Sequence, residues 1–297
     1  MNKKDIEKCY LCEGTQISVH AETVFKAPNL IVLKCSSCGL IFLSSHEHIN
    51  EDYYQDSGMH QDDTDLFEIE SWLKDTERDD ERRYQFLKMS LMNKMVLDFG
   101  CGAGGFLLKA KNSAHVAEGI ELESRLQPHF REHELSVFKN LDELRIAQKD
   151  SKKYDFLTLF HVLEHLKDPR EILKELACFV KDDGEIIIEV PNGNDALITI
   201  FDCKPFSDLI YRSYHLTVWT AETLSKLALQ AGLSVNYIKQ VQRYPLSNHL
   251  YWLANGKPGG HEKWSFLDSE MLHTMYEKQL ADIGRCDTIV ASFSKGK

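Results

Sequence analysis

The sequence predicts an α/β fold in which a mainly parallel sheet is covered by helices on both faces, preceded by a small module that four cysteines hold together. Two observations lead to this fold class. Strand-like apolar runs alternate with helical segments from residue 94 onward, and such alternation is typical of a parallel sheet between two helical layers. Four of the eight cysteines fall within the first 38 residues. The length of 297 residues suits one full-sized α/β domain with an appendage.

Composition and charge exclude several classes of function. The net charge of -11 at pH 7 argues against binding to a nucleic-acid backbone, which needs clustered cations. The charged N-terminus lacks the apolar segment of a secretory signal, and no apolar run approaches the roughly 18 residues that a membrane span needs. We therefore expect a cytoplasmic protein whose cysteines are reduced or bound to metal. The oligomeric state is left open.

The elements of the main domain follow one another in a regular order. We predict strands at residues 95–99, 116–121, 154–160, 185–190, 235–241 and 288–293, and helices at 105–112, 125–134, 169–180 and 220–231. Pro169 is tolerated in the first turn of a helix, and Thr220 and Gly232 are typical of an N-cap and a C-terminal stop. Before this domain, helical spacing of apolar residues over 66–92 predicts one long helix or two shorter ones.

The first four cysteines form two CxxC pairs. Cys9 and Cys12 are followed, after 22 residues, by Cys35 and Cys38. Each pair fits a tight turn, and four thiolates close a tetrahedral shell around zinc. A closed shell leaves no position for a substrate, so we predict a structural Zn²⁺ in a module over residues 1–48. A redox pair is the alternative, but it would need only one CxxC.

A glycine-rich turn follows the first strand of the main domain. Gly100, Gly102 and Gly105 fit the G-x-G-x-x-G fingerprint between a strand and a helix, which by itself is compatible with a dinucleotide. A dinucleotide brings a pyrophosphate to this turn, whereas S-adenosylmethionine (SAM) brings a sulfonium and an ammonium group. Asp98, two residues before the first glycine, suits the cationic ligand and would repel a diphosphate. Glu121, at the end of the next strand, suits the ribose hydroxyls of either cofactor.

Longer stretches of sequence carry a family resemblance. Residues 96–104, VLDFGCGAG, resemble motif I of the class I SAM-dependent methyltransferases, and residues 154–169, YDFLTLFHVLEHLKDP, resemble the fourth strand and following loop of their ubiquinone-biosynthesis-like branch. The resemblance implies a Rossmann-like seven-stranded sheet whose last strand is antiparallel, in a core over residues 94–297. The cofactor-binding residues that it implies, together with the charge argument above, are Asp98, Gly100, Cys101, Gly102, Gly104, Glu121, Asn140, Phe160 and His161.

A second resemblance concerns the acceptor. A four-cysteine module ahead of such a core resembles the deoxysugar C-methyltransferases, although the further C-terminal domain of those enzymes is not expected here. Residues 214–220, YHLTVWT, resemble an element of sugar methyltransferases in which the histidine faces the acceptor. This resemblance makes His215 the candidate catalytic base. We interpret His161 and His165 as structural or cofactor-proximal, because no third metal ligand lies nearby at an obvious spacing.

Two segments are candidates for contacts with the acceptor. We interpret residues 49–93 as a linker and helical cap, in which Tyr53 and Tyr54 could form a lid over the substrate. An insert at about residues 243–285 is rich in aromatic and hydrogen-bonding groups, and Asn248, His249 and His261 are its predicted substrate contacts.

The prediction for function is an enzyme that transfers a methyl group from SAM to a small polar acceptor, a nucleotide- or lipid-linked sugar of bacterial surface polysaccharide. The sugar rests on family analogy alone. One alternative is methylation of a quinone-type or other aromatic molecule, which a pocket with mainly aliphatic walls would favour. The other is a non-catalytic zinc-knuckle interaction protein with a vestigial SAM fold.

Overall fold

The computed structural model describes residues 6–49, 69–148 and 153–296. In these ranges the strands are β1 (Ile17–Ala21), β2 (Val32–Cys35), β3 (Ile41–Leu43), β4 (Met95–Phe99), β5 (Val116–Ile120), β6 (Ser136–Phe138), β7 (Tyr154–Phe160), β8 (Val180–Pro191), β9 (Thr217–Val218), β10 (Leu233–Val241) and β11 (Thr288–Lys295). They form a four-stranded sheet of order β1-β2-β3-β9 and a seven-stranded sheet of order β10-β11-β8-β7-β4-β5-β6.

The α-helices in the same ranges are α1 (Ile69–Leu91), α2 (Gly105–Ala110), α3 (Gln127–Glu132), α4 (Leu141–Gln148), α5 (Pro169–Ala177), α6 (Ala196–Thr199), α7 (Lys204–Ile210), α8 (Ala221–Gln230), α9 (Leu246–Asn255), α10 (Gly260–Lys263) and α11 (Glu270–Asp282). None of these helices combines the length and the apolar character that crossing a bilayer requires. The helices α9 to α11 lie between β10 and β11, at the place of the predicted insert.

The main sheet is parallel except for one strand. The pairs β4–β5, β4–β7, β5–β6 and β7–β8 are parallel, whereas β11 runs antiparallel to both of its neighbours, β8 and β10. The predicted seven-stranded sheet with an antiparallel last strand is therefore confirmed.

Helices cover both faces of this sheet. On one face, Tyr84 and Leu87 of α1 join Phe106 of α2 and the sheet residues Ile187 and Val290 in one apolar cluster. On the other face, leucines of α5 and α8 pack against inward-facing residues of β7 and β8. Apolar residues at helical spacing therefore give α1 one buried stripe, and residues 69–91 form a single helix rather than two.

Strand β8 is longer than the sequence predicts. A helix was expected to reach Val180 and to be broken at Gly184, but α5 ends at Ala177 and β8 begins at Val180. Val180 pairs with Tyr154, and a bulge then lets Glu185 pair with Phe156. A Cβ atom at Gly184 would lie 2.8 Å from the carbonyl oxygen of Asp155, so this glycine permits close strand approach instead of ending an element.

The small sheet joins the N-terminal module to the main domain. Its fourth strand, β9, comes from residues after α7 and pairs antiparallel with β3, with Ile41 opposite Val218. The backbone amide of Leu43 also donates to the carbonyl of Leu216 (3.0 Å). The chain segment just before α8, which carries His215, is therefore held by the N-terminal module.

Candidate cofactor and acceptor site

A cavity of about 410 Å³ opens at the carboxyl ends of β4, β5 and β7. This is the edge at which open α/β sheets bind ligands. Seven of the nine predicted cofactor-binding residues line it: Asp98, Gly100, Cys101, Gly102, Glu121, Phe160 and His161. Gly104, with φ of 81°, is instead the N-cap of α2. Asn140 lies outside the cavity lining and caps α4, where its Oδ1 accepts a hydrogen bond from the amide of Glu143 (2.9 Å).

The turn after β4 needs glycine for two reasons. Gly100 and Gly102 have φ values of 73° and 54°, in the left-handed region that side chains rarely adopt. A Cβ atom at Gly102 would also lie 2.9 Å from Cζ2 of Trp72 on α1. The turn and α1 therefore approach each other so closely that a side chain at Gly102 would collide with Trp72.

Asp98 is a buried carboxyl group at the end of β4. It is only 2% exposed and accepts a hydrogen bond from Thr158 Oγ1 (2.6 Å). Burial raises the pKa of Asp98 to about 7, because the charged form loses its hydration and the Thr158 bond offsets only part of that loss. A bound cation would restore the charged form, so the side chain is suited to the positive part of a ligand.

Glu121 follows β5 and is held by the backbone. Its two carboxylate oxygens accept hydrogen bonds from the amides of Gly102 (2.8 Å) and Glu123 (3.0 Å). Burial raises the pKa of Glu121 even though these amides favour its ionised form. The bond to Gly102 ties the acid to the glycine turn, at the position where a cofactor ribose was predicted.

The face of α1 towards the cavity is polar, and sequence reasoning missed it. Trp72, Asp75, Thr76, Asp79, Asp80 and Arg83 all line the cavity. The prediction treated this helix as a cover for the edge of the domain. A signal was present, because Thr76, Asp80 and Arg83 recur at helical spacing and so share one side of the helix.

A network of buried charges closes one side of the cavity. Glu189 of β8 is fully buried and accepts hydrogen bonds from Arg82 (2.8 Å) and Arg83 (2.8 Å) of α1. Burial opposes ionisation of Glu189, but Arg83 and His161 hold its pKa well below the usual range. Arg243, just after β10, hydrogen-bonds Asp79 of α1 through Nε (3.0 Å). The network fixes α1 against the sheet.

His161 is the first residue after β7 and has an unusual backbone. Its φ of 56° is uncommon for a residue other than glycine and marks a constrained site. Its ring lies between Glu164 (Nδ1 to Oε1, 3.3 Å) and Glu189 (Nε2 to Oε1, 3.2 Å). Burial and Arg243 lower the pKa of His161, but the two carboxylates outweigh them and raise it. The sharp turn leads directly into a 3₁₀ turn over Leu163–His165.

That turn brings Glu164 and His165 next to His215. One potential ligand atom of each lies within 4.8 Å of the others. His215 does not line the cavity, but its ring centroid is 5.3 Å from that of His165, which does. Burial lowers the pKa of His215 to about 3, so its imidazole is neutral. Sequence reasoning missed the cluster because its third member lies 50 residues after the other two.

The four N-terminal cysteines come together as predicted. Sγ of Cys9 lies 3.6 Å from that of Cys38, and Sγ of Cys12 lies 3.5 Å from that of Cys35. All four sulfur atoms are within 4.8 Å of one another. Tight turns hold each pair, with the amide of Glu13 bonded to the carbonyl of Cys9 (2.8 Å) and that of Gly39 to the carbonyl of Cys35 (2.8 Å).

The predicted substrate contacts of the insert lie away from the cavity lining. Asn248 is buried and accepts hydrogen bonds from the amide of Gly260 (3.2 Å) and from His261 Nδ1 (3.3 Å). His249 is buried, where its Nδ1 contacts the hydroxyl of Tyr276 (2.6 Å). These groups hold α9, α10 and α11 together. Tyr53 and Tyr54 lie outside the described residues.

Comparison with known proteins agrees with this geometry. Residues 69–238 match a family model described as a methyltransferase domain. The ubiquinone biosynthesis O-methyltransferase of Hydrogenovibrio crunogenus is 30% identical over 197 residues, which cover 59% of this chain and 81% of that protein. Its namesake from Coxiella burnetii is 27% identical over 176 residues, 56% of this chain and 74% of that protein.

A solved structure extends the comparison to the fold. The magnesium protoporphyrin IX methyltransferase of Synechocystis, with bound S-adenosylhomocysteine (SAH), aligns over 84% of this chain and 100% of that one, with a TM-score of 0.50 and 11% identity. The matched region contains the glycine turn, Asp98, Glu121 and the strands that frame the cavity. This chain therefore belongs to the SAM-dependent methyltransferases.

Proposed function

We propose that the acceptor is a small hydroxylated aromatic molecule of the quinone-precursor type, methylated on oxygen. Two observations support it over the sugar that the sequence first predicted. The relatives described above are ubiquinone biosynthesis O-methyltransferases. Phe99, Phe106, Phe160, Val162 and Leu166 contribute apolar or aromatic walls to the cavity, which suit a flat apolar ring better than a polyhydroxylated sugar.

The placement of the insert residues also weakens the sugar prediction. A sugar site needs hydrogen-bonding groups that are directed at the ligand. Asn248 instead accepts hydrogen bonds from Gly260 and His261 of the insert. His249 contacts Tyr276 of the insert and Gln242 just before it. Two resemblances still favour a sugar, that of the four-cysteine module and that of residues 214–220. The cavity lining contains no described residue of the module and none of residues 214–220.

The cavity residues fit SAM, which supplies an electrophilic methyl group on its sulfonium. Asp98 would hold the cationic part of the cofactor, because a bound cation would offset the loss of hydration that burial imposes on its charged form. Glu121 would accept the ribose hydroxyls beside the glycine turn. Phe160 and His161 would face the sulfonium end. Holding both reactants in one water-poor cavity supplies most of what an in-line transfer requires.

His215 is proposed to act at the acceptor. It was predicted to be a general base, for which a pKa near the working pH is best. Burial lowers the pKa of His215 to about 3, so we propose that the neutral imidazole holds the acceptor rather than taking up its proton.

The cysteine cluster is proposed to hold a structural Zn²⁺. In a tetrahedral site with Zn–S bonds of about 2.3 Å, the sulfur atoms are separated by about 3.8 Å. The Sγ–Sγ distances of 3.6 Å between Cys9 and Cys38 and of 3.5 Å between Cys12 and Cys35 fit this arrangement. The metal would hold the turn before β1 to the turn between β2 and β3, and a module of this size needs such a link.

The test of the acceptor is a turnover assay on purified protein with SAM. Hydroxylated benzoates and other phenols form one panel, and nucleotide sugars form the other, with mass spectrometry detecting the gain of a methyl group. Glu121→Ala is the control that removes a cofactor contact. Methylation confined to phenols is the expected result. Methylation of a nucleotide sugar alone would overturn the proposal and restore the original prediction.

A further inference from the structure

We propose that a second cavity, beside the cofactor cavity, binds a small organic anion, a molecule with an apolar body and one carboxylate or phosphate group. The cavity measures about 470 Å³ and is enclosed by α1, α11 and the strands β8, β10 and β11. The proposal rests on the walls of this cavity, so it does not depend on the identity of the acceptor.

Part of the cavity wall is apolar. Ile187 of β8, Val241 of β10 and Val290 of β11 line it from the sheet, and Phe86 and Leu87 line it from α1. Sites for small organic molecules combine such apolar walls with a few polar groups that fix the orientation of the ligand. The apolar wall therefore provides a place for the body of an organic molecule, which a bare inorganic ion does not need.

The charged groups of the cavity wall are mainly cationic. They are the cations Arg78, Arg82, Arg83, Lys239 and Arg243 and the carboxylates Glu189 and Glu277. Cations therefore outnumber carboxylates here, although the protein as a whole has a net charge of -11. A cleft lined mainly by one sign of charge attracts ligands of the opposite sign. The charge of this cavity thus favours an anion.

Two of these cations have no carboxylate partner. Arg82, Arg83 and Arg243 form ion pairs within the buried network described above. Arg78 and Lys239 form no ion pair with any carboxylate in the ranges that the structure describes. Because a guanidinium and an ammonium both bind carboxylate or phosphate oxygens readily, an anionic group of a ligand would supply the missing partner.

Weak contacts hold these two cations at the exposed side of the cavity. Nη2 of Arg78 donates a hydrogen bond to the carbonyl of Arg243, and its guanidinium lies 5.6 Å from the ring centroid of Tyr244. Nζ of Lys239 lies 4.4 Å from the ring centroid of Phe86. Cation–π contacts contribute little at exposed positions, so both side chains can turn towards a bound anion at a small cost.

Two buried nitrogen atoms give independent support for a ligand. Nε of Arg82 and Nδ1 of His273 are buried, and neither has a hydrogen-bond partner among the described residues. Both side chains line the cavity. A guanidinium nitrogen only donates hydrogen bonds, and a buried donor without an acceptor is costly and rare. Carboxylate and phosphate oxygens are acceptors of the kind that Arg82 Nε lacks.

The second cavity shares a wall with the cofactor cavity. Arg83, Phe160 and Arg243 line both, and Phe160 is proposed to face the sulfonium of SAM. A ligand in the second cavity therefore lies beside the reacting end of the cofactor. Two sources of the anion fit this position: an acceptor that itself carries the anionic group, and a separate effector that binds next to the acceptor.

Calorimetry on protein saturated with SAH tests the site without turnover. The probes are benzoate and phenyl phosphate. Benzyl alcohol serves as a neutral molecule of similar shape, and inorganic phosphate serves as an anion without an apolar body. At least one aromatic anion should bind, and it should bind about tenfold or more tightly than either benzyl alcohol or inorganic phosphate.

Charge-removing variants locate the binding in this cavity. Arg78→Gln and Lys239→Gln should each weaken binding of the aromatic anion by about threefold or more. Arg131→Gln and Lys226→Gln, at exposed positions elsewhere, should bind it as the parent does. All four side chains are exposed, so unfolding temperatures should stay close to the parent value.

Three results would overturn the site. They are failure of both aromatic anions to bind, binding of benzyl alcohol as tight as that of the anions, and unchanged binding in both Arg78→Gln and Lys239→Gln. Binding of inorganic phosphate as tight as that of phenyl phosphate would overturn the role of the apolar wall.

Turnover with SAM separates the two sources of the anion. If the acceptor carries the anionic group, protocatechuate is methylated, and Lys239→Gln raises its KM while the KM of catechol, which lacks the carboxylate, stays unchanged. If the anion is an effector, benzoate changes the rate of catechol methylation and gains no methyl group. Methylation of both phenols that neither benzoate nor Lys239→Gln alters would overturn a role of the cavity in the reaction while supporting the proposed function.

Discussion

Thr158 Oγ1 donates a hydrogen bond of 2.6 Å to Asp98 Oδ1, between directly paired residues of the neighbouring strands β7 and β4. Burial raises the pKa of Asp98 to about 7. The carboxyl group is therefore partly protonated in the free protein near neutral pH, and its charge depends on what occupies the cavity.

This relationship predicts a pH dependence for SAM binding. A cationic ligand favours the ionised carboxylate, so binding below pH 7 must release a proton. Affinity should therefore rise with pH, by up to about tenfold per unit below the pKa, and level off above it. Calorimetry at about pH 6 and pH 8 measures the effect. SAH, which lacks the sulfonium, should show a weaker dependence.

Two variants serve as controls for the role of Asp98. Asp98→Asn should bind SAM weakly and without this pH dependence. Thr158→Val removes the one hydrogen bond that favours the ionised form, so it should move the rise in affinity to higher pH. A parent protein whose affinity for SAM is the same at both pH values would contradict the assignment of Asp98.

Glu189→Gln should destabilise the protein strongly. The substitution removes the buried negative charge that Arg82, Arg83 and His161 share. Breaking a buried ion pair on one side costs about 3 kcal/mol or more, because the remaining charge is left uncompensated. Urea unfolding measures the loss. Glu222→Gln, on the exposed face of α8, should change the free energy of unfolding by less than about 0.5 kcal/mol.

Cys35→Ser should abolish zinc binding and should also lower turnover through an indirect effect on the acceptor site. Metal analysis should fall by about one zinc per chain, since a closed four-cysteine shell needs all its ligands. The cavity is built on the main sheet, so SAH should still bind, whereas turnover should decline as β3 loses its hold on β9. Cys178→Ser, an exposed cysteine elsewhere, should retain metal and activity. A well-folded parent protein without zinc would refute the structural role.

His215→Ala should separate cofactor binding from turnover. The side chain lies outside the cavity lining, so SAH affinity should stay within about twofold of the parent value. The rate of methyl transfer should fall by at least about tenfold, because the acceptor loses a group that helps to hold it. Equal rates for the variant and the parent would reduce His215 to a residue that only packs before α8.

Short stretches of sequence predicted the features that depend on interactions between nearby residues. The strand, glycine turn and helix around Asp98 and the two CxxC pairs each depend on residues close together in the chain. The antiparallel last strand, which pairs with the distant strand β8, was instead implied by the family resemblance. The polar face of α1 was missed because only its apolar stripe was used to place the helix. The cytoplasmic location stays a prediction.

Long-range relationships could not be read in this way. His215 lies near Glu164 because β9 pairs with β3 of the N-terminal module. The spacing of apolar residues along the sequence does not predict this pairing. We interpreted His161 and His165 as structural or cofactor-proximal because no third ligand lay at a nearby spacing, whereas the fold places His215 beside His165 from a distant part of the chain. The insert residues Asn248 and His249 were assigned by composition, which does not reveal that their hydrogen bonds are spent within the insert.

The pairing of β3 with β9 has a practical meaning for how the enzyme is handled. An expressed fragment that starts at residue 49 would keep the cofactor cavity, yet it would leave β9 as an unpaired edge and release the segment on which the acceptor depends. Such a fragment would pass a cofactor-binding assay and fail in turnover. Screens for acceptors should therefore use the chain with its cysteine module intact.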